Sequence, residues 1–217
     1  MTLLKPDHRR LDAGRLIMVP AATMMLVVDA IVLTQSNGNG LAGALRWIGT
    51  ALVAAFYAVI IWAYLRRGPA RATSPSVTAH VAAITATLIP FTFPLLNSAT
   101  VTTGRMLVAN VLLVTGTSWA VWSLLSLGRN LSVIAQAREV VEHGPYRWVR
   151  HPLYTGEIVS SLGLAITAGT TTAVAVWITL VALQVYRARS EEHVLLGALP
   201  TYAAYRTRTA ALLPGVF

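Results

Sequence analysis

Six apolar runs, each near the length of a membrane-crossing helix, constrain this chain more than any other feature. A helix rises ~1.5 Å per residue and must cover a ~30 Å hydrocarbon core, which takes about 20 apolar residues. Leu16–Thr34, Ala44–Leu65, Val77–Leu96 and Met106–Leu127 reach or approach that length. Leu153–Ala168 and Thr172–Tyr186 are shorter, are separated by the small-residue turn AGTTT, and read as a helical hairpin. Only 12% of the residues are charged and 55% are hydrophobic, whereas soluble domains carry about 25% charged residues. The expected fold class is all-α: a polytopic membrane protein of about six transmembrane helices, the last two paired, followed by a cytoplasmic amphipathic C-terminal tail.

The breaks between the runs are legible too. QSNGNG ends the first run, which only Pro20 and Asp29 interrupt, and the basic, proline-containing RRGPARATSP reads as a loop. Pro90 and Pro94 fall inside the third run and predict a kink or a distorted outer end. The first run is followed by no small-residue cleavage site, so it reads as a retained helix and not as a cleaved signal.

Charge placement predicts orientation. With both termini inside, the inner segments hold Lys5, Arg9, Arg10, Arg15, Arg66, Arg67, Arg71, Arg129, Arg138, Arg147, Arg150, Arg187, Arg189, Arg206 and Arg208. The outer segments hold only Arg46 and Arg105. This is the positive-inside bias, and it predicts a multi-pass integral membrane protein with cytoplasmic N- and C-termini. It also accounts for the net charge of +9 without nucleic acid, since no basic patch is interleaved with aromatics. The expected partners are the bilayer and a lipophilic small-molecule or lipidated substrate. The absence of cysteine excludes disulfides, Cys-ligated zinc and a thiol nucleophile; no metal site is expected.

Polar residues gather in two places. GPYRWVRHPLYTGE brings Arg147, Arg150, His151, Tyr154 and Glu157 to the start of the fifth helix, with Pro152 suited to its first turn. Gly156, Ser160 and Gly163 give that helix a small-residue face that another backbone can approach closely. The sixth helix ends in YRARSEE, where Arg187–Glu191 and Arg189–Glu192 are spaced as local ion pairs. Both clusters fall at the inner membrane face, on the two arms of one hairpin. A carboxylate there suits an ammonium group, Arg or His suits a carboxylate, and Tyr154 or Trp148 offers an aromatic face.

Together, LGRN, GPYRWVRHPLYTG, R-x-R-x-E-E, Y-x-x-Y and LLPG resemble the isoprenylcysteine carboxyl methyltransferase and phospholipid methyltransferase superfamily, over Leu127–Phe217. LPTYAAY departs from the Phe-Gly that the family tends to carry before these tyrosines. The resemblance divides the chain into N-terminal transmembrane helices (1–126) and a cofactor-binding module (127–217). It implies S-adenosylmethionine bound at the cytoplasmic ends of the last two helices, with His151, Tyr154, Gly156, Glu191, Glu192 and Tyr146 as cofactor-binding residues. Arg150, His151 and Glu157 are then the candidates for acceptor binding and proton transfer. The implied activity is methyl transfer to a lipophilic acceptor, such as an isoprenylcysteine carboxylate or another lipid or small-molecule nucleophile. Sterol and steroid reductases carry a similar R-H-P-x-Y-x-G-E motif, so Thr155-Gly156-Glu157 leaves an NADPH-dependent membrane reductase as the alternative.

Overall fold

The computed structural model describes residues 13–35, 40–68, 70–96 and 102–213. The basic N-terminal segment with Lys5, Arg9 and Arg10, residues 36–39 of QSNGNG, Pro69, residues 97–101, and the Pro214-Gly215 end of LLPG lie outside them. Among the described residues seven α-helices carry the fold: α1 Ala13–Gln35, α2 Gly40–Arg66, α3 Val77–Leu88, α4 Thr103–Leu127, α5 Pro152–Ala168, α6 Thr171–Ala198 and α7 Tyr202–Arg208. Five stretches, Arg15–Thr34, Gly43–Arg66, Val77–Leu96, Thr103–Asn130 and Thr171–Ala198, are long and apolar enough to cross a membrane. Their outward faces carry exposed apolar residues such as Ile17, Val81, Leu95 and Ile178, a surface that lipid covers and water does not.

The proline expectation is met in a specific form. α3 ends at Leu88 and continues as a 3-10 helix, Ile89–Leu96, which contains Pro94. Proline has no N–H to donate and crowds the preceding turn, so the α geometry is not sustained there.

The helices pack α1 on α2, α2 on α4, α4 on α5, α5 on α6 and α6 on α3, with α4–α5 the most extensive pair. The small-residue face of α5 explains why. A Cβ on Gly156 would stand 2.7 Å from the Gly116 carbonyl and 2.8 Å from the Ala120 nitrogen, and one on Gly163 would meet the Ala109 carbonyl just as closely. Only hydrogen at these positions lets the two backbones come together.

α5 has 17 residues, or ~26 Å at the usual rise, short of a full hydrocarbon core. It packs along α4 from Ala120 to Arg105. Its last turn meets the first turn of α4, where Arg105 donates to the Ile166 carbonyl at 2.8 Å and complements the negative end of the helix dipole. Gly169, at φ +70°, closes that end in the left-handed conformation.

Two features go beyond the sequence expectation. α6 continues past YRARSEE through HVLLGA to Ala198. The tail folds back on the α5 entry. After α7, residues 210 and 211 lie beside the entry to α5: the Arg150 and His151 amides donate to the Ala210 and Ala211 carbonyls at 2.8 and 3.0 Å. The Thr155 hydroxyl donates to Leu212 at 2.8 Å. N–H groups at a helix start have no partner within the helix, and the tail supplies acceptors for them. A two-residue ribbon, β1 Ala72–Thr73 antiparallel to β2 Gln136–Ala137, ties the loop before α3 to the connection after α4.

Candidate active site

A cleft opens where α4 ends, α5 begins and α6 is extended. Its walls are Leu127, Asn130, Leu131, Gln136 and Arg138 of the connection, Tyr146, Arg150, His151, Leu153 and Tyr154 of the α5 entry, Glu191 and Leu195 of α6, and Tyr202 and Tyr205 of α7. Its empty space, open mouth included, is about 740 Å³.

The α5 entry is built by punctuation. Gly144, at φ +60°, turns the chain into a short 3-10 helix, Gly144–Arg147, and Pro152 starts α5 with His151 as its cap. His151 and Tyr154, three apart, lie with parallel rings 5.5 Å between centroids. Facing them, α6 presents Glu191 and Glu192. Glu191 accepts the Tyr154 hydroxyl's hydrogen bond and lies 3.5 Å from His151 Nδ1. His151 Nε2 is 3.3 Å from Glu192. Burial alone would depress the imidazole, but hydrogen bonds to the two carboxylates outweigh it, and His151 is raised above its ordinary value. It stands as a wedge between two acids that favour its charged form.

Glu191 and Glu192 are therefore not equivalent. Glu192 faces away from the cleft and is saturated by Arg150 at 2.6 Å, by His151, and by Arg206 at 3.2 Å. Arg150 also donates to the carbonyls of Arg206 and Thr209. The local pairs Arg187–Glu191 and Arg189–Glu192 do not form among the described residues; tertiary partners outcompete helix neighbours because they are buried and so less screened.

Of the expected site residues, Tyr146, Arg150, His151, Tyr154 and Glu191 come together on the cleft walls. Three do not. Glu192 lies behind the wall. Gly156 packs on α4, so the backbone it admits is another helix and not a ligand. Glu157 points to α6, where it accepts from Gln184 at 2.6 Å and faces Arg187 at 3.9 Å. Arg187 in turn lies over the Tyr154 ring at 4.5 Å and donates to the Val133 carbonyl at 3.2 Å, bracing the wall from below.

Sequence reasoning missed Arg138, Tyr202 and Tyr205 as cleft residues. The Y-x-x-Y spacing, which puts both rings on one face of α7, was the available signal. Tyr205 donates to the Tyr146 carbonyl at 2.7 Å. Burial pushes its phenol up to about 12, and those of Tyr146 and Tyr202 also rise, so all three stay protonated donors. The Tyr202 hydroxyl is buried with no hydrogen-bond partner among the described residues.

Residues 104–199 match the family model for phospholipid methyltransferases. Through that segment the chain is similar to the phospholipid methyltransferase family. The match takes in α4, the α5 entry, the hairpin and both tandem acids. That family falls in the isoprenylcysteine carboxyl methyltransferase-like superfamily of membrane methyltransferases, and the match implies a membrane methyltransferase enzyme. The reductase alternative finds no support in that match. A comparison with curated proteins gave no match.

Proposed function

We propose that this membrane methyltransferase binds S-adenosylmethionine in the cleft and methylates a lipophilic acceptor, an isoprenylcysteine carboxylate or another lipid or small-molecule nucleophile, at the cytoplasmic face. One observation carries the reading: Glu191 of α6 meets His151 and Tyr154 of α5 across a single tyrosine-walled cleft.

The donor set suits the cofactor. Glu191 is the carboxylate for an α-ammonium, Arg138 and His151 are cations for a carboxylate, and Tyr146 and Tyr154 are aromatic faces for adenine or a sulfonium. A buried polar atom without a partner calls for an explanation, and a nucleoside bound beside Tyr202 would supply one. The bound cofactor brings a methyl carbon already activated for in-line displacement. Glu191 orients, and the α7 tyrosines exclude water. Arg150 and Glu192 act as positioning residues that hold the tail against α5. His151, its charged form favoured by two acids, donates hydrogen bonds and is poorly placed to remove a proton, so the site suits an acceptor that needs no base.

The cytoplasmic assignment rests on charge. Arg66, Arg67, Arg129, Arg138, Arg147 and Arg150 stand at the cleft end, against Arg46 and Arg105 at the other. Six crossings follow if α5 spans the bilayer alongside α4.

Calorimetric titration of the detergent-solubilised chain with S-adenosylhomocysteine tests the reading, followed by mass spectrometry of lipid extracts incubated with methyl-labelled cofactor. Saturable binding and a labelled lipophilic product are expected. A folded protein that binds neither cofactor form overturns it.

A further inference from the structure

A second aromatic cluster stands at the end of α4, outside the cleft. Trp119 and Trp148 stack at 6.1 Å, and Trp122 meets them edge-on at 5.5 and 5.7 Å. The Arg147 guanidinium lies 4.0 Å over the Trp148 ring. Gly144 seats this loop on α4: a Cβ there would collide with the Ser126 hydroxyl and stand 3.6 Å from Trp122 Nε1. Trp122 and Trp148 remain 40% and 41% exposed, and none of the four residues lines the cleft.

The electrostatics of this ledge are one-signed. Among the described residues Arg147 makes no ion pair or hydrogen bond, and α2 and α4 contain no acid. The nearby Glu142 is engaged by Arg208 at 3.0 Å. Arg66 lies over Trp62 at 5.7 Å on the neighbouring helix end. Stacking leaves the guanidinium's N–H edges available, and their planar fork matches phosphate oxygens. Half-exposed tryptophans at a helix end settle at the headgroup level of a bilayer. A zwitterionic headgroup largely cancels its own phosphate charge; an anionic one does not.

We propose that Arg147, with Trp119, Trp122 and Trp148, forms a docking ledge for the headgroup of an anionic phospholipid. This assignment does not depend on the methyl-transfer reading. It is tested on the full chain in nanodiscs of zwitterionic lipid doped with acyl-brominated lipid, either phosphatidylglycerol or phosphatidylcholine at equal mole fraction, with tryptophan fluorescence as the readout. Brominated phosphatidylglycerol is expected to quench at a several-fold lower mole fraction, on the order of fivefold for one interfacial arginine. Arg147→Gln removes that preference, and Trp122→Phe/Trp148→Phe removes the lipid-selective part of the quenching. The exposed position of Arg147 makes its replacement compatible with folding, which the thermal midpoint verifies. Equal quenching by the two lipids, a preference that survives Arg147→Gln, or its loss on adding millimolar inorganic phosphate at constant ionic strength overturns the proposal.

Discussion

Arg150 and Glu192 are 42 positions apart in sequence and 2.6 Å apart in space. Because the same guanidinium also holds the carbonyls of Arg206 and Thr209, this pair fastens α5, α6 and the tail at one point. Removing one member of a buried pair strips the other of its nearest counterion and costs about 3–5 kcal/mol. Arg150→Met and Glu192→Gln are each expected to lower the thermal midpoint in detergent by roughly 6–20 °C. The double variant should lose clearly less than the sum. Strictly additive losses in the unfolding curves would mean that the two side chains act independently.

Glu191, one residue earlier, predicts the opposite pattern. Its carboxylate belongs to the cleft, so Glu191→Gln should leave the thermal midpoint within a few degrees of wild type. The same change should weaken S-adenosylhomocysteine about 10- to 100-fold, the loss of one charge-assisted hydrogen bond. Titration calorimetry on both tandem variants separates the roles. Equal damage to binding and stability by Glu191→Gln would count against a ligand-facing carboxylate.

This asymmetry marks the limit of what the sequence could convey. Hydropathy located the starts of α1 to α6 to within a few residues, and the spacing of Gly156, Ser160 and Gly163 announced a close-packed face, because both depend on local periodicity. Nothing local says that Glu191 faces a cleft and Glu192 a latch, since adjacent helix positions differ by ~100° of rotation and their neighbours come from distant segments. Glu157 and Gly156 show the same limit. They lie beside His151 and Tyr154 in sequence, but the Glu157 side chain reaches α6 and the open face of Gly156 packs on α4. The length of α6 was hidden because charged residues end an apolar run without ending a helix.

His151 makes stability depend on pH with a definite sign. Its value is raised in the folded protein, so the folded state binds the proton more tightly than the unfolded chain does. The resulting stabilisation is complete below the ordinary histidine value of 6.5 and is lost as pH rises through the elevated folded value. Thermal midpoints of wild type should therefore fall across that interval relative to His151→Gln. Parallel curves for the two proteins would show that the imidazolium contributes nothing.

Gly156 and Gly197 both sit in helices but predict opposite outcomes with alanine. A methyl group on Gly156 meets the α4 backbone at 2.7 and 2.8 Å, whereas one on Gly197 meets nothing within 4 Å. Gly156→Ala should force α4 and α5 apart and cost about 1–3 kcal/mol. Gly197→Ala should be stabilising by about 0.5–1 kcal/mol through helix propensity. Unfolding midpoints of the two variants in one detergent provide the comparison, and an unperturbed Gly156→Ala protein would contradict the close seam.

The lack of cysteine makes the path of α5 directly measurable, because any introduced thiol is the sole target of a maleimide. Arg129 follows α4 and Thr171 opens α6, so only α5 and its entry loop separate them. If α5 traverses the bilayer despite its 17 residues, a membrane-impermeant maleimide added to intact cells should label Thr171→Cys and spare Arg129→Cys until the membrane is permeabilised. The mechanical argument for crossing is that α5 is locked to α4 from Gly156 to Gly163 and capped at its far end by Arg105. A helix held that tightly to a spanning partner reaches the same two interfaces, with local thinning of the bilayer absorbing the ~4 Å shortfall in length. Labelling of both positions from the same side would place the hairpin within one leaflet and reverse the orientation of α6.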